Sequence, residues 1–127
     1  MNFLNHNYKV LVTGGSGFFG SHLLKHEAFQ EALAIGRTPP INHEHFESIS
    51  FNDIDLLSKV LKNVEIVVHL AGRAHIMNEN ATRPLDEYRH TNTLGTLNLA
   101  KQAALAGVKR FIFISSIKVL GEKTTPD

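Results

Sequence analysis

The sequence has no cysteine, no marked excess of either charge and no long hydrophobic run. The absence of cysteine excludes disulfides and thiolate metal sites and is typical of a reducing compartment. Thirteen basic and 12 acidic residues give a formal net charge of +1 without a Lys/Arg run, so neither nucleic acid nor an anionic membrane is an expected partner. The apolar runs are too short to span a bilayer, and the N-terminus does not resemble a signal peptide. We therefore expect a cytoplasmic protein.

Short runs of β-branched and large apolar residues alternate with segments of helical spacing, and the 127 residues are enough for one domain. The predicted strands are residues 8–13, 32–35, 46–51, 65–71 and 110–115. The predicted helices cover residues 18–30, a short segment after Asp53, and residues 84–107. Residues 37–45 contain two prolines and no periodic pattern, which predicts a surface loop. Such alternation is typical of a doubly wound α/β domain, whose parallel sheet has helices on both faces.

The third predicted helix has signals at both of its ends and a continuous stripe along one side. Pro84 suits the first helical turn, and Gly107 suits the position after the C-terminus. The stripe consists of Leu85, Tyr88, Asn92, Gly95, Leu99, Ala103 and Ala106. Asn92 is the amide on this otherwise apolar stripe, and a buried amide needs hydrogen-bond partners. It has two possible roles, one in a binding site and one in satisfying the neighbouring backbone.

Three glycines at three-residue spacing, Gly14, Gly17 and Gly20, lie in the stretch VTGGSGFFGSHLL between the first strand and the first helix. In a dinucleotide site, one glycine makes the turn, another lets the backbone approach the pyrophosphate, and a third lets helix and strand pack closely. The free N–H groups and the helix N-terminus attract the anion. A tight turn without a ligand is the alternative. The phosphate loop of nucleotide hydrolases is excluded because Ser21 and His22, rather than Lys and Ser or Thr, follow Gly20. The motif predicts a Rossmann-type dinucleotide-binding domain over residues 1–127.

The second strand ends in Gly36 and Arg37, where an NAD site usually has a carboxylate for the ribose hydroxyls. A guanidinium there favours a 2′-phosphate, so the sequence favours NADP over NAD, although an exposed loop arginine is the alternative interpretation. His43 and His45 are close in sequence but lack a third ligand at a typical spacing, so no metal site is predicted.

Four stretches together resemble the extended short-chain dehydrogenase/reductase family. They are VTGGSGFFGSHL at residues 12–23, FNDIDL at 51–56, VVHLAGRAH at 67–75, and YRHTNTLGTLNLAKQAALAGVKRFIFISSIKVLGE at 88–122. Within that family, the chain is similar to the NAD-dependent epimerase/dehydratase group that acts on nucleotide sugars, the UDP-glucose 4-epimerase-like enzymes. The resemblance covers essentially the whole chain in the family's order and spacing.

The resemblance implies roles for individual residues. The implied pyrophosphate-binding residues are Gly14, Ser16, Gly17, Phe18, Phe19 and Gly20, with core packing as the alternative role of the two phenylalanines. The other implied cofactor-binding residues are Asp53 and Ile54 beside the adenine, Leu70, Ala71, Gly72 and Arg73 along the central portion, Asn92, and Ser115 beside the nicotinamide. Ser116 matches the family's active-site serine or threonine, which hydrogen-bonds the sugar hydroxyl being oxidised.

The family's general base is the tyrosine of a Tyr-x-x-x-Lys motif, and this motif is absent from the chain. The two tyrosines are Tyr8 and Tyr88, and the residues four positions later are Val12 and Asn92. We therefore expect an N-terminal part of a longer enzyme, ending before the catalytic tyrosine helix and the substrate domain and inactive alone. The full enzyme would transfer hydride between a carbon of its nucleotide-sugar substrate and the nicotinamide. A non-catalytic NAD(P) sensor and a reductase of small ketones are the alternatives. An unpaired sheet edge makes a homo-oligomer an expected state.

Overall fold

The fold is a five-stranded parallel sheet in a computed structural model that describes residues 8–70 and 82–114. The strands are β1 (Val10–Thr13), β2 (Leu33–Gly36), β3 (Phe46–Ser48), β4 (Ile66–Leu70) and β5 (Arg110–Ile114). Their order in the sheet is β3-β2-β1-β4-β5, and every neighbouring pair is parallel. This is the strand order of a doubly wound Rossmann-type sheet, so the predicted fold class is confirmed.

Helices connect the strands and cover the sheet. They are α1 (Phe18–Lys25), α2 (Ile54–Val60) and α3 (Thr82–Ala106), and a short 3₁₀ turn at Glu27–Phe29 follows α1. The predicted helix over 18–30 is therefore wrong in its second half. His26 adopts an extended backbone, and its Nδ1 accepts a hydrogen bond from the Ala28 N–H, which starts the 3₁₀ turn instead.

Two apolar clusters lie on opposite faces of the sheet because side chains alternate along each strand. The larger cluster joins β1, β2 and β4 to α2 and α3, through Leu11, Leu33, Ile35, Leu57, Leu61, Val67 and Leu99. The smaller cluster packs α1 on the other face, through Val12, Leu24, Ala34, Val68 and Leu70. Both faces of the central strands are thereby covered, as their near-continuous apolar sequences predict.

Helix α3 confirms part of the predicted stripe. Gly95, Leu99 and Ala103 are buried, whereas Ala106 is exposed because it lies in the last turn before the chain leaves the helix. Gly107 follows the helix with a φ of 83°, as its predicted position after the C-terminus requires. The side chains of Leu85, Tyr88 and Asn92 lie outside the described part of the chain.

Strand β3 is shorter than predicted and ends at Ser48 rather than at residue 51. The Ile49 N–H still donates to the Gly36 carbonyl, but Phe51 then leaves the sheet and its carbonyl accepts a hydrogen bond from the Asn98 amide of α3. This turn brings residues 49–52 to the carboxyl end of the sheet. Residues 37–45 form no helix or strand, in agreement with the predicted loop. None of the helices within the described residues is long and apolar enough to cross a membrane.

Candidate functional site

Two of the three motif glycines are required by packing. Gly14 has a φ of 75°, and a Cβ there would lie 2.6 Å from the Leu70 carbonyl oxygen at the end of β4. A Cβ on Gly20 would overlap the backbone of Gly14 and Gly15, because α1 crosses directly over the turn. These glycines therefore let the first helix and the neighbouring strand approach the turn, as the glycine spacing predicts.

Gly17 differs from the other two because the space around it is open. Its φ of −81° suits any residue, and a Cβ would meet only the Gly14 carbonyl oxygen, at 3.6 Å. Gly17 is the N-cap of α1, and no side chain within the described residues caps that helix. The first N–H groups of a helix have no partner within it, so they remain available to an anion.

Phe18 and Phe19 begin α1 beside this opening. Their side chains are 72% and 66% exposed, and the two rings meet edge to face with centroids 6.1 Å apart. Packing in the core, the alternative role considered for them, is therefore wrong. They flank the glycine turn at the surface.

A cleft of about 460 Å³ runs along the carboxyl ends of the strands. Its lining comes from the glycine turn (Thr13, Gly14, Gly15, Ser16), the β2 end (Ile35, Gly36, Arg37, Thr38), the β3 end (Ile49, Ser50, Phe51, Asn52), the β4 end (His69, Leu70) and α3 (Gly95, Thr96). In open α/β sheets, ligands bind in the crevice at the carboxyl ends of the strands. The crevice lies between two neighbouring strands whose connections lead to opposite faces of the sheet. Arg37 is the charged side chain among these described lining residues, and it is exposed.

A hydrogen-bonded chain forms the floor of the cleft. His69 is 4% exposed; its Nδ1 lies 2.6 Å from Thr13 Oγ1, and its Nε2 lies 2.9 Å from Thr96 Oγ1. Burial lowers the pKa of His69 from 6.5 to about 4. The ring is therefore neutral at pH 7, and both of its nitrogens are hydrogen-bonded within the fold.

Most of the site residues predicted in the glycine turn and on the neighbouring strands lie at the cleft or beside it. Ser16, Arg37 and Leu70 line the cleft with Gly14, and Gly17, Phe18, Phe19 and Gly20 belong to the adjoining turn. Asp53 and Ile54 line a neighbouring shallow hollow together with Ser50, Asn52 and Asp55. Asp53 also caps α2, because its Oδ1 accepts a hydrogen bond from the Leu56 N–H at 3.1 Å.

Several predicted residues lie outside the described part of the chain, so their roles stay predictions. They are Ala71, Gly72, Arg73, Ser115 and Ser116, together with the side chain of Asn92. Conversely, sequence reasoning did not assign Ser50, Asn52 and Thr96 to the site. Ser50 and Asn52 follow the end of β3 by a few residues. A prediction that ended this strand at Ser48 would have placed both of them at the carboxyl end of the sheet. Thr96 lies one helical turn after Asn92, and that spacing was the available signal.

A larger hollow, of about 690 Å³, lies at the opposite end of the sheet. It is lined by the end of α1 and by residues that precede β2 and β3, among them Glu31, His43 and His45. His43 Nε2 donates to the Ala32 carbonyl at 2.8 Å, which engages one of the two histidines. No group of three or more His, Asp or Glu side chains within the described ranges is arranged to hold a metal ion. This end of the sheet is not where α/β folds bind dinucleotides.

A sequence model of the NAD-dependent epimerase/dehydratase family matches residues 10–127. The chain belongs to this family. The predicted resemblance is confirmed over nearly the whole sequence.

Relatives and solved structures support the same assignment. UDP-glucose 4-epimerase of Vibrio cholerae is 43% identical over 120 residues, which are 91% of this chain and 37% of that enzyme. UDP-glucose 4-epimerase of Klebsiella pneumoniae is 36% identical over 132 residues, which are 91% of this chain and 94% of that sequence. The structure of MoeE5 in complex with UDP-glucose and NAD superposes with a TM-score of 0.70 at 33% identity, covering 89% of this chain and 38% of MoeE5. The chain thus spans about a third of the length of the Vibrio enzyme.

Proposed function

We propose that this chain is the dinucleotide-binding part of an enzyme that epimerises or dehydrates a nucleotide sugar. The observation that carries the proposal is the contrast among the three glycines. Gly14 and Gly20 are enforced by backbone contacts, whereas Gly17 faces open space at the uncapped start of α1. A Cβ at Gly17 would fill space that the fold itself does not need, and a diphosphate needs that space to reach the amides.

The residues of the turn and the cleft fit a nicotinamide dinucleotide. Ser16 lines the cleft beside the start of α1, and the N–H groups of Phe18 and Phe19 in the first turn of that helix would hold the pyrophosphate. The pocket at the β2 and β3 ends, with Arg37 and Asn52, would take the adenosine half. When bound, the oxidised dinucleotide would accept a hydride from a carbon of the sugar. The chain's own part is to bind and orient the cofactor.

The proposed cofactor is NAD, which is bound in the structure of MoeE5. Arg37 is the feature that favours NADP, because its guanidinium at the β2 end is suited to a 2′-phosphate. Titration of the chain with both dinucleotides distinguishes these cofactors. Tighter binding of NAD, unchanged in Arg37→Ser, supports NAD, whereas tighter binding of NADP that Arg37→Ser abolishes supports NADP.

We propose that the isolated chain does not catalyse the reaction, because neither tyrosine is followed by a lysine four residues later. Tyr8 is also poorly suited to act as a base. Burial first, and then the negative charges of Glu47, Glu31 and Glu44, raise the pKa of its phenol above the usual value of 10.0. Its hydroxyl lies 3.2 Å from His45 Nδ1, near the amino ends of the strands and away from the cleft. A measurable epimerase or dehydratase rate from the pure chain would contradict this.

The decisive test of dinucleotide binding is Gly17→Ala, with Gly107→Ala as a matched control away from the cleft. Gly17 already has backbone angles that alanine adopts, so the variant should fold like the parent chain. We expect it to weaken binding by about tenfold or more, since a methyl group keeps the amides out of reach of a phosphate. Gly107→Ala should lower thermal stability, because Gly107 has a positive φ, without changing affinity. Equal affinity for the parent chain and Gly17→Ala would contradict the proposed function.

A further inference from the structure

The side chains at the floor of the cleft connect three elements of the fold. Thr13 ends β1, His69 lies beside it on β4, and Thr96 reaches the same ring from α3. These residues are far apart in sequence, and each hydrogen bond of the chain joins two different elements. Among the described side chains, no buried nitrogen or oxygen lacks a partner, so the chain is fully satisfied.

The hydrogen-bond partners fit a neutral imidazole that carries its proton on Nε2. Thr13 Oγ1 accepts a hydrogen bond from the Leu70 N–H at 3.2 Å, so its own hydroxyl proton is available to His69 Nδ1. The neutral ring then carries its proton on Nε2 and donates to Thr96 Oγ1. Aromatic rings of Phe51, Phe111 and Phe113 surround the imidazole and limit its rotation.

Thr13, the first residue of this hydrogen-bonded series, is covalently joined to the glycine turn. Thr13 precedes Gly14 in sequence, and Leu70, whose N–H it accepts, presents its carbonyl oxygen to Gly14. A shift of Thr13 relative to β4 therefore changes the space in which Gly14 turns. The Gly17 N–H, which donates to the Gly14 carbonyl at 3.2 Å, reports on the same turn.

We propose that the chain Thr13–His69–Thr96 is a positioning device that holds the glycine turn in its binding geometry. Helix α3 fixes the imidazole, the imidazole fixes the Thr13 hydroxyl, and Thr13 fixes the turn against β4. The proposal rests on the proposed function, because it assigns the chain a role in dinucleotide affinity. These side chains act through the turn and bond to one another.

The experiment removes the hydroxyl of Thr96, the member of the hydrogen-bonded series that lies on α3, because a substitution there disturbs the sheet least. Thr96→Val replaces the hydroxyl by a methyl group of similar size. Thr96→Ser keeps the hydroxyl and is the conservative control. Val64→Ala is the control for a general loss of stability, because Val64 is buried in the larger cluster away from the cleft. Each variant is titrated with NAD by calorimetry, and exchange of the Gly17 amide is followed by NMR without ligand.

The expected result is a loss of NAD affinity of about fivefold in Thr96→Val, the factor that one hydrogen bond is typically worth, with recovery in Thr96→Ser. Exchange of the Gly17 amide should accelerate in Thr96→Val and stay normal in Val64→Ala at equal global stability. Parent-like affinity and exchange in Thr96→Val would overturn the positioning role alone. Absence of NAD binding in the parent protein would refute the proposed function. The exchange measurement would still decide whether the hydrogen bonds of Thr13, His69 and Thr96 hold the glycine turn.

Discussion

The burial of His69 makes the stability of this domain depend on pH in a defined range. The pKa of its ring is lowered to about 4 by burial, against 6.5 in an unfolded chain. Protonation therefore favours the unfolded state, and stability is highest above pH 6.5. It falls as the pH drops from 6.5 towards 4. The lost contribution is about 2 kcal/mol at pH 5 and about 3 kcal/mol at the acid limit.

No neighbouring charge offsets this effect within the described residues. The side chains that contact the imidazole are Thr13, Phe51, Thr96, Phe111 and Phe113, none of which titrates. Desolvation of the buried imidazole is therefore the cause that disfavours the charged ring.

The assay is denaturant unfolding at pH 7.5 and pH 5 and constant ionic strength, in the parent chain and in His69→Asn. The titration of the other histidines and of the carboxylates is common to both proteins, so the difference between them isolates His69. We expect the parent to lose about 2 kcal/mol more than the variant between these pH values. Should the variant fail to fold, the NMR titration of the His69 ring in the parent gives the same information. A ring that titrates near pH 6.5, or an identical pH dependence in both proteins, would refute the reasoning.

Three further predictions concern the turn, a helix cap and the sheet edge. Gly20→Ala should lower the free energy of unfolding by about 2 kcal/mol or more, because its Cβ meets backbone atoms; an unchanged urea midpoint would contradict this. Asp53→Ala should cost about 1 kcal/mol by removing the cap of α2, whereas Asp53→Asn should retain most of that stability in the same assay. Ile112→Lys should reduce self-association, since β5 is an edge strand with Ile112 exposed among the described residues; a strictly monomeric parent chain in sedimentation velocity would contradict it.

The elements of the fold could be predicted from the sequence because their signals are local. The alternation of apolar runs and helical segments indicated the five strands, and the spacing of Gly14, Gly17 and Gly20 indicated the turn. The predicted end of β3 was wrong because Phe51 is as apolar as a strand residue. In the structure it leaves the sheet, and its carbonyl accepts a hydrogen bond from Asn98, 47 positions away. Local pattern carries no information about that partner.

The candidate site was predictable where it follows strand ends and unpredictable where it depends on distant pairs. Arg37 comes directly after β2, Ser16 follows the end of β1 by three residues, and both line the cleft. The pairing of His69 with Thr96 joins a strand to a helix 27 residues later, which no periodicity indicates. Asp53 was placed beside the adenine by resemblance, and in the structure its carboxylate caps α2 at the rim of the neighbouring hollow.

The central position of β1 has a consequence for the order of events during synthesis. Its two neighbours are β2, which follows soon after, and β4, which follows much later at Ile66–Leu70. Until β4 leaves the ribosome, one side of β1 is an open apolar edge, and the glycine loop has no wall at Leu70 to rest against. A nascent chain stalled before residue 66 should therefore be prone to aggregate and to recruit chaperones.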